Sequence, residues 1–318
     1  MKTMLRFVVR SATVASMLTL VLATSRVDAA GAPSHSLLFK PWINGVSAAE
    51  PQMQVQRYDG DTYVIRQSIR TNFEGPFLYL LFGSERALLI DSGAGGLKVR
   101  PTIDRVIADW SAVHHRTSVP LIVAHSHSHG DHHQGDAEFQ DRPDTTVVGL
   151  FPKNVADFFK ITAWPNQVVS YDLGGRVLDI IPTPGHQSAH IMLFDRKTRL
   201  LFSGDSLGPY RLYIPMNEVK TYRDSIDRVA AFTRDKQVSW ILGAHIELKT
   251  SPGELIPDEA PSHPDEHALE IPYGDLPELQ TALHAMGDNL VQQAHRDFVI
   301  FPRPAREPQP FAPPASGP

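Results

Sequence analysis

Between residues 125 and 133 the chain reads His125-Ser126-His127-Ser128-His129-Gly130-Asp131-His132-His133. Imidazole and carboxylate together suit zinc, and also iron or manganese when carboxylate content rises. Side chains two apart on an extended segment point the same way, so His127 and His129 can share one metal. Asp131 and His132, further along, can face a second. The run Pro120 to Ala124 just before them is compact and apolar, as in a strand buried on both faces. It delivers the histidines to a loop at its C-terminal edge, where ligands bind in open α/β sheets.

Further donors stand in the same kind of place. Thr183-Pro184-Gly185-His186 follows a strand candidate at Val177 to Ile181, and Phe202-Ser203-Gly204-Asp205 follows Leu200-Leu201. Gly243-Ala244-His245 follows another at Val238 to Leu242. Each donor sits just past a strand, beside Gly or Ala, where backbone can come close to a metal. Any one of them alone reads as an ordinary core or surface residue. Taken jointly, His127, His129, Asp131, His132, His186, Asp205 and His245 stand in loops after four strands, which packing alone does not require.

These residues carry a resemblance. His127-x-His129-x-Asp131-His132, Pro184-Gly185-His186, Gly204-Asp205 and Gly243-Ala244-His245 resemble, in order, the metal-binding motifs of the metallo-β-lactamase superfamily, over about residues 60–250. Leu89-Ile90-Asp91-Ser92-Gly93 resembles the family's early strand-end motif, whose Asp is structural rather than a ligand. The resemblance implies an αββα sandwich of two mixed sheets, with the site between the sheet edges. It implies His127, His129 and His186 on one metal, Asp131, His132 and His245 on a second, and Asp205 bridging them. The lactam-cleaving branches generally carry Cys or Ser where Asp205 stands, while thioesterase, lactonase and phosphodiesterase branches carry Asp.

The chemistry implied is hydrolysis. Two divalent ions about 4 Å apart can hold a bridging water and bring its pKa toward neutrality. Asp131 would orient the resulting hydroxide and shuttle its proton to the leaving group. The chain has no Cys, so a thiol nucleophile is ruled out. The expectation is an exported hydrolase with two divalent ions, zinc first and iron or manganese next, that cleaves an ester, lactone or thioester. β-Lactam hydrolysis is the alternative, with phosphodiester cleavage or metal binding without turnover behind it.

Neighbouring residues are read more plainly. His125 and His133 are supporting or surface residues, and His190 is a packed or hydrogen-bonding one. Tyr210 and Tyr213 could reach a developing oxyanion but read first as packed aromatics. Arg211 reads first as a surface ion pair, and His263 and His267 as facing solvent.

The elements that must position these residues alternate along the chain. Thr62 to Gln67, Phe77 to Phe82 and Arg86 to Ile90 are short β-rich runs, and Pro101 to Val113 places Ile103, Val106, Ile107 and Trp110 at helical spacing. Strand candidates follow at Thr146 to Gly149, Val168 to Tyr171, Val177 to Ile181, His190 to Phe194 and Leu200 to Phe202. Tyr222 to Phe232 reads as a helix, and loops over 40–60, 150–167 and 206–220 would shape the pocket. Strands interleaved with helices in both halves predict a layered α/β fold. Asp275 is expected to cap a further helix, with Leu276, Leu279, Leu283, Met286 and Leu290 as its packing stripe.

The resulting organisation is a signal peptide over 1–29, a lead-in over 30–60 and a hydrolase domain over 61–250. A C-terminal loop and helix cover 251–301, and the Pro-rich tail, 302–318, is expected to be extended or disordered. Lys2, Arg6 and Arg10 precede an apolar run from Ser11 to Ala23, and Val27-Asp28-Ala29 offers a cleavage site. That predicts a periplasmic or secreted protein with no stable membrane anchor after cleavage. The formal charge is −5; losing Lys2, Arg6, Arg10 and Arg26 with Asp28 leaves the mature chain at −8. A nucleic-acid partner is therefore excluded, since no basic patch exists to neutralise phosphates. The expected partner is a small-molecule substrate.

Overall fold

Alternation of buried side chains on short strands builds two sheets that share a face. The computed structural model describes residues 37–307 and 309–313. The signal expected over residues 1–29 lies outside them. The first sheet has strand order β1 (Met53–Asp59), β2 (Thr62–Gln67), β3 (Phe77–Phe82), β4 (Ala87–Ile90), β5 (Leu121–Ala124) and β6 (Thr145–Val147). Its hairpins are antiparallel up to β4, and β4, β5 and β6 run parallel. Helix α1 (Arg100–Val113) makes the β4-to-β5 crossover. Between β5 and β6 lies the one-turn helix α2 (Gly130–His133), and α3 (Pro152–Phe159) follows β6.

The second sheet uses β7 (Val169–Asp172), β8 (Val177–Pro182), β9 (Ile191–Asp195), β10 (Leu200–Gly204), β12 (Trp240–Gly243) and β13 (Glu270–Ile271), ordered β13-β12-β10-β9-β8-β7. Strands β10 and β12 are parallel, joined through α4 (Val219–Thr233). A small third sheet places β15 (Val299–Arg303) between β11 (Arg211–Pro215) and β14 (Gln293–Ala294).

Period-two alternation then sorts side chains into three cores. Tyr79, Leu88, Ile90 and Ile122 from the first sheet meet Leu178, Ile191, Leu193 and Phe202 from the second. The opposite face of the first sheet packs Leu80, Leu89 and Val123 on Ile103, Ile107 and Trp110 of α1. The opposite face of the second packs Met192, Leu201 and Ile241 with Tyr222 and Ile226 of α4 and with Leu279 and Leu283 of α5 (Asp275–Met286). The layers are therefore helix, sheet, sheet, helix, the αββα arrangement expected.

Several expectations are corrected. Residues 53–59 of the lead-in are strand β1, whose apolar signal is diluted by Gln54, Gln56 and Arg57 at a half-buried edge. The expected loops hold α3 and β11. Asp275 is the first residue of α5 rather than its cap, and its side chain caps no backbone N–H. Leu290 is buried but lies beyond that helix.

The largest difference is at the C-terminus. The boundary expected after residue 301 shifts, because Pro302 and Arg303 complete β15, with Val299 and Ile300 buried beneath. Pro302 lies past the last residue paired to β14, so its missing N–H leaves no ladder bond broken on that side. Beyond it, Arg306 N donates to Asn217 Oδ1 at 3.0 Å while Asn217 Nδ2 donates to Arg306 O at 2.9 Å. Ser188 Oγ donates to Gln309 Oε1 at 2.9 Å, and Lys153 N to Phe311 O at 2.8 Å.

Candidate metal centre

All four strand ends named from the sequence open onto one cleft. Asp91, at the end of β4, adopts a left-handed φ of 65° and folds its carboxylate back across β5. Its Oδ1 accepts from Ser126 N at 2.7 Å and its Oδ2 from Ser126 Oγ at 2.9 Å, setting the course of the histidine loop. The turn of α2 begins directly after His129, so Asp131 and His132 come round toward the same space. Two glycines allow the other strand ends to close in. A Cβ on Gly185 would sit 2.5 Å from Tyr222 Cα, and one on Gly204 would sit 2.7 Å from His190 Nε2 and 2.8 Å from Ser126 Cβ.

The seven candidate ligands form two clusters that share one residue. His127, His129, His186 and Asp205 make the first; Asp131, His132, His245 and Asp205 make the second. In the first, His129 Nδ1 lies 2.9 Å from His127 Nε2 and 3.0 Å from His186 Nε2. Asp205 Oδ2 is 3.6 Å from both of those Nε2 atoms. In the second, Asp131 Oδ2 is 3.0 Å from His132 Nε2 and 3.2 Å from His245 Nε2. Asp205 Oδ1 is 3.5 Å from each of these nitrogens. One carboxylate thus directs one oxygen into each cluster.

The donor chemistry fits a cation in each. Ligands about 2.0–2.1 Å from a tetrahedral zinc stand roughly 3.3–3.4 Å apart, which these separations match. The Asp205 Oδ1 atom is buried without a hydrogen-bond partner, a costly state that a cation would relieve. The outward ring nitrogens are held by acceptors: His186 Nδ1 by Tyr213 O, His245 Nδ1 by Glu74 O, and His132 Nδ1 by Asp91 Oδ2, each at 2.9 Å. An acceptor there places the proton on Nδ1 and leaves a lone pair on Nε2 facing the cluster.

The electrostatics agree. Burial, with neighbouring histidines adding, lowers the pKa of His127 and brings that of His129 down to about 3, so both are neutral donors at ordinary pH. Burial works against charge on His245 as well, but Asp205 and Asp131 push it up to about 10. Burial raises the Asp131 and Asp205 carboxyls, yet His132 and His245 outweigh it and hold both well below the usual carboxylate range. The ionised Asp131 and Asp205 are thus balanced by positive charge on His132 and His245, and a cation in the second cluster would take the place of those protons and free each Nε2 lone pair.

Partners support each loop from behind. His190 accepts from Asp205 N at 3.2 Å through Nε2, and its Nδ1 lies 2.7 Å from Thr183 Oγ1. Tyr210 donates its phenol to Gly204 O, Tyr222 to Ser206 O and Tyr79 to Gly243 O. Tyr210 lines the cleft, but its phenol proton is committed to that backbone oxygen. His125 is buried, with Nε2 2.8 Å from Asp136 Oδ1. Arg211 pairs with Glu247 and Asp258, the ion-pair reading. His263, expected in solvent, is buried at the cleft wall beside the Arg66–Glu266 pair, and burial brings it to about 4. His267 is half-buried against Asp297.

The cleft has a volume of about 410 Å³ and is lined by His129, Asp131, His186, Asp205 and His245, with His127 and His132 fully covered behind them. Glu74, Tyr213, Arg303 and Arg306 also line it, and the sequence reading did not single out Glu74, Arg303 or Arg306. Glu74 sits in a turn between strands, and burial, with Asp131 and Asp205 adding, pushes its carboxyl up to about 7.

A family model described as the metallo-beta-lactamase superfamily matches residues 72–239, more than half of the chain. The chain belongs to that superfamily. Among relatives, the hydroxyacylglutathione hydrolase of Rhizobium meliloti (strain 1021) is 29% identical over 165 residues, 48% of this chain and 59% of that protein's length. The acyl-coenzyme A thioesterase MBLAC2 of Bos taurus is 27% identical over 201 residues, 53% of this chain and 72% of the relative. A solved metallo-beta-lactamase from Pontibacter korlensis aligns over 61% of this chain and 91% of its own, at 18% identity and a TM-score of 0.44. The superfamily match ends just before β12 and His245, and so also before α5, β14, β15 and the tail.

Proposed function

We propose that this protein is a dinuclear metal-dependent hydrolase of thioesters. The observation that carries the reading is Asp205, one oxygen in each histidine cluster and one of those oxygens orphaned. His127, His129 and His186 would hold one ion, Asp131, His132 and His245 the other, and Asp205 both. Zinc suits this donor set best, with iron or manganese next. Bound there, two divalent ions bring water toward neutral pKa and polarise a carbonyl, supplying nucleophile and electrophile together. Asp131 lines the cleft and presents an ionised carboxylate that would accept a hydrogen bond from the attacking water and so orient it. The buried rings behind it exclude bulk water and hold this geometry.

Thioesters are preferred over lactams on two grounds. The relatives include proteins named for thioester substrates, and position 205 is Asp rather than Cys or Ser. A basic start and apolar run in residues 1–23 support export to a periplasm or the medium. The test is a hydrolysis panel of a thioester, its oxygen ester, a lactone, a β-lactam and a phosphodiester. The expected order puts the thioester first, with the rate abolished by chelator and by His127→Ala. A β-lactam as the best substrate, or rates indifferent to chelator, would overturn the assignment.

A further inference from the structure

Cations at the cleft mouth are not all committed. Arg211 is neutralised by Glu247 and Asp258. Arg303 and Arg306 have no carboxylate within 4.0 Å among the described residues, yet both line the cleft. Arg303 Cζ lies over the Tyr213 ring, 4.7 Å from its centroid, and 5.9 Å from that of Phe301. This seating holds the guanidinium on the aromatic surface while its N–H groups meet no hydrogen-bond acceptor among the described residues. Tyr213 is itself tied to the centre, since its carbonyl holds His186.

Arg306 is placed as deliberately. The two bonds between its backbone and the Asn217 side chain fix where it leaves the tail. Its Nη1 lies 3.0 Å from His129 Nε2, the ring nitrogen turned away from the cluster. A guanidinium has only donors, so this contact requires an unprotonated Nε2. The positive charge of Arg306 meets no carboxylate among the described residues, beside the place where a substrate would lie.

We propose that Arg303 and Arg306 form a subsite for an oxyanionic group, carboxylate or phosphate, on the substrate of this centre. The inference rests on the thioesterase reading and narrows it to anionic thioesters. Guanidinium forks match both groups in bidentate geometry, and two of them at one rim favour a charged substrate over a neutral one. The subsite belongs to the C-terminal segment, on β15 and just after it, beyond the last residue of the superfamily match. The tail thereby becomes the specificity element of the cleft.

The experiment compares wild type, Arg303→Gln, Arg306→Gln and the double variant, as the full purified chain. Four thioesters are used: neutral S-ethyl thioacetate, the mono-S-phenyl thioester of succinate, 3-(acetylthio)propanoate and 2-(acetylthio)ethyl phosphate. The ratio of kcat/KM on an anionic thioester to that on the neutral one is expected to fall at least ten-fold in each single variant, through KM. Whichever anionic compound responds identifies the acyl or thiol side and carboxylate or phosphate. An unchanged ratio in the double variant overturns the subsite. Calorimetric titration with the uncleavable thioethers 3-(methylthio)propanoate and 2-(methylthio)ethyl phosphate keeps the two readings separable. If no thioester is cleaved, the thioesterase reading fails. A Kd raised ten-fold or more in the double variant still supports the subsite, and equal Kd values overturn it.

Discussion

His132 Nδ1 lies 2.9 Å from Asp91 Oδ2, on the opposite side of the ring from the atom that faces Asp131 and Asp205. That carboxylate also receives Ser126 N and Oγ, so one side chain sets both the ring orientation and the loop that carries it. Asp91→Asn is therefore the most informative change outside the ligands. Asn tolerates the left-handed φ of 65° but loses the charge. Metal affinity is expected to fall roughly 10–100-fold, the cost typical of removing an outer partner of a metal-bound histidine. Competition against a chromophoric chelator measures it, and an unchanged affinity would remove Asp91 from the account.

Asp205→Asn tests the shared ligand. The amide offers at most one good donor atom, so one cluster loses a ligand outright. Metal content is expected to drop toward one ion per chain, with activity reduced by at least ~100-fold, the top of the range for losing an outer partner. Elemental analysis beside a thioester assay reads both. Full occupancy with full activity would mean that Asp205 does not join the sites.

Tyr210→Phe removes the phenol that donates to Gly204 O, one residue before the bridging carboxylate. The carbonyl keeps its bond from Ala244 N at 3.0 Å, so the loss is that of one buried hydrogen bond, about 1 kcal/mol. A melting temperature lower by several degrees is expected, with metal affinity reduced as the Asp205 loop loosens. An oxyanion role for Tyr210 would show instead as a loss of kcat at unchanged stability and metal content.

Asp275 and Asp297 meet where α5 starts and β15 approaches, with Glu278, His267 and Arg296 also facing them. Burial, with Asp297 and Glu278 adding, pushes Asp275 up to about 8. The folded state therefore holds a proton that the unfolded chain releases near pH 4. Stability contributed by the neutral carboxyl is present below that pH and is lost progressively as pH rises from about 4 through about 8. Asp275→Asn, which stays neutral, is expected to raise the melting temperature by roughly 2–4 °C at pH 8.5, the size of about 1 kcal/mol in a domain this large, and by less at pH 5. An equal shift at both pH values would contradict the assignment.

Much of the site was legible because its donors follow directly on strands. His127, His186, Asp205 and His245 each lie within a few residues of a compact apolar run, so spacing and secondary structure carry the same message. A layered α/β fold followed from short apolar runs such as Leu88 to Ile90 and helical stripes such as Ile103 to Trp110, while its four layers were what the family resemblance implied. What escaped was whatever depends on tertiary contact. The polar strand Met53–Asp59 has alternation too weak to stand out at an edge. His263 lies in an acidic, Pro-rich stretch that reads as solvated, and it is folded inward by tertiary contacts, the buried Arg66–Glu266 pair and the bond from His263 N to Asn44 O. Arg303 and Arg306 sit among prolines, and nothing local announces that Asn217, Ser188 and Lys153 fasten that segment over the cleft.

The central claim, two cations sharing Asp205 to hydrolyse a thioester, is tested most directly by zinc titration of metal-free protein while thioester hydrolysis is followed. Activity is expected to be absent without metal and to rise to a plateau at two equivalents per chain. A plateau at one equivalent, or hydrolysis undiminished in the metal-free protein, would contradict it.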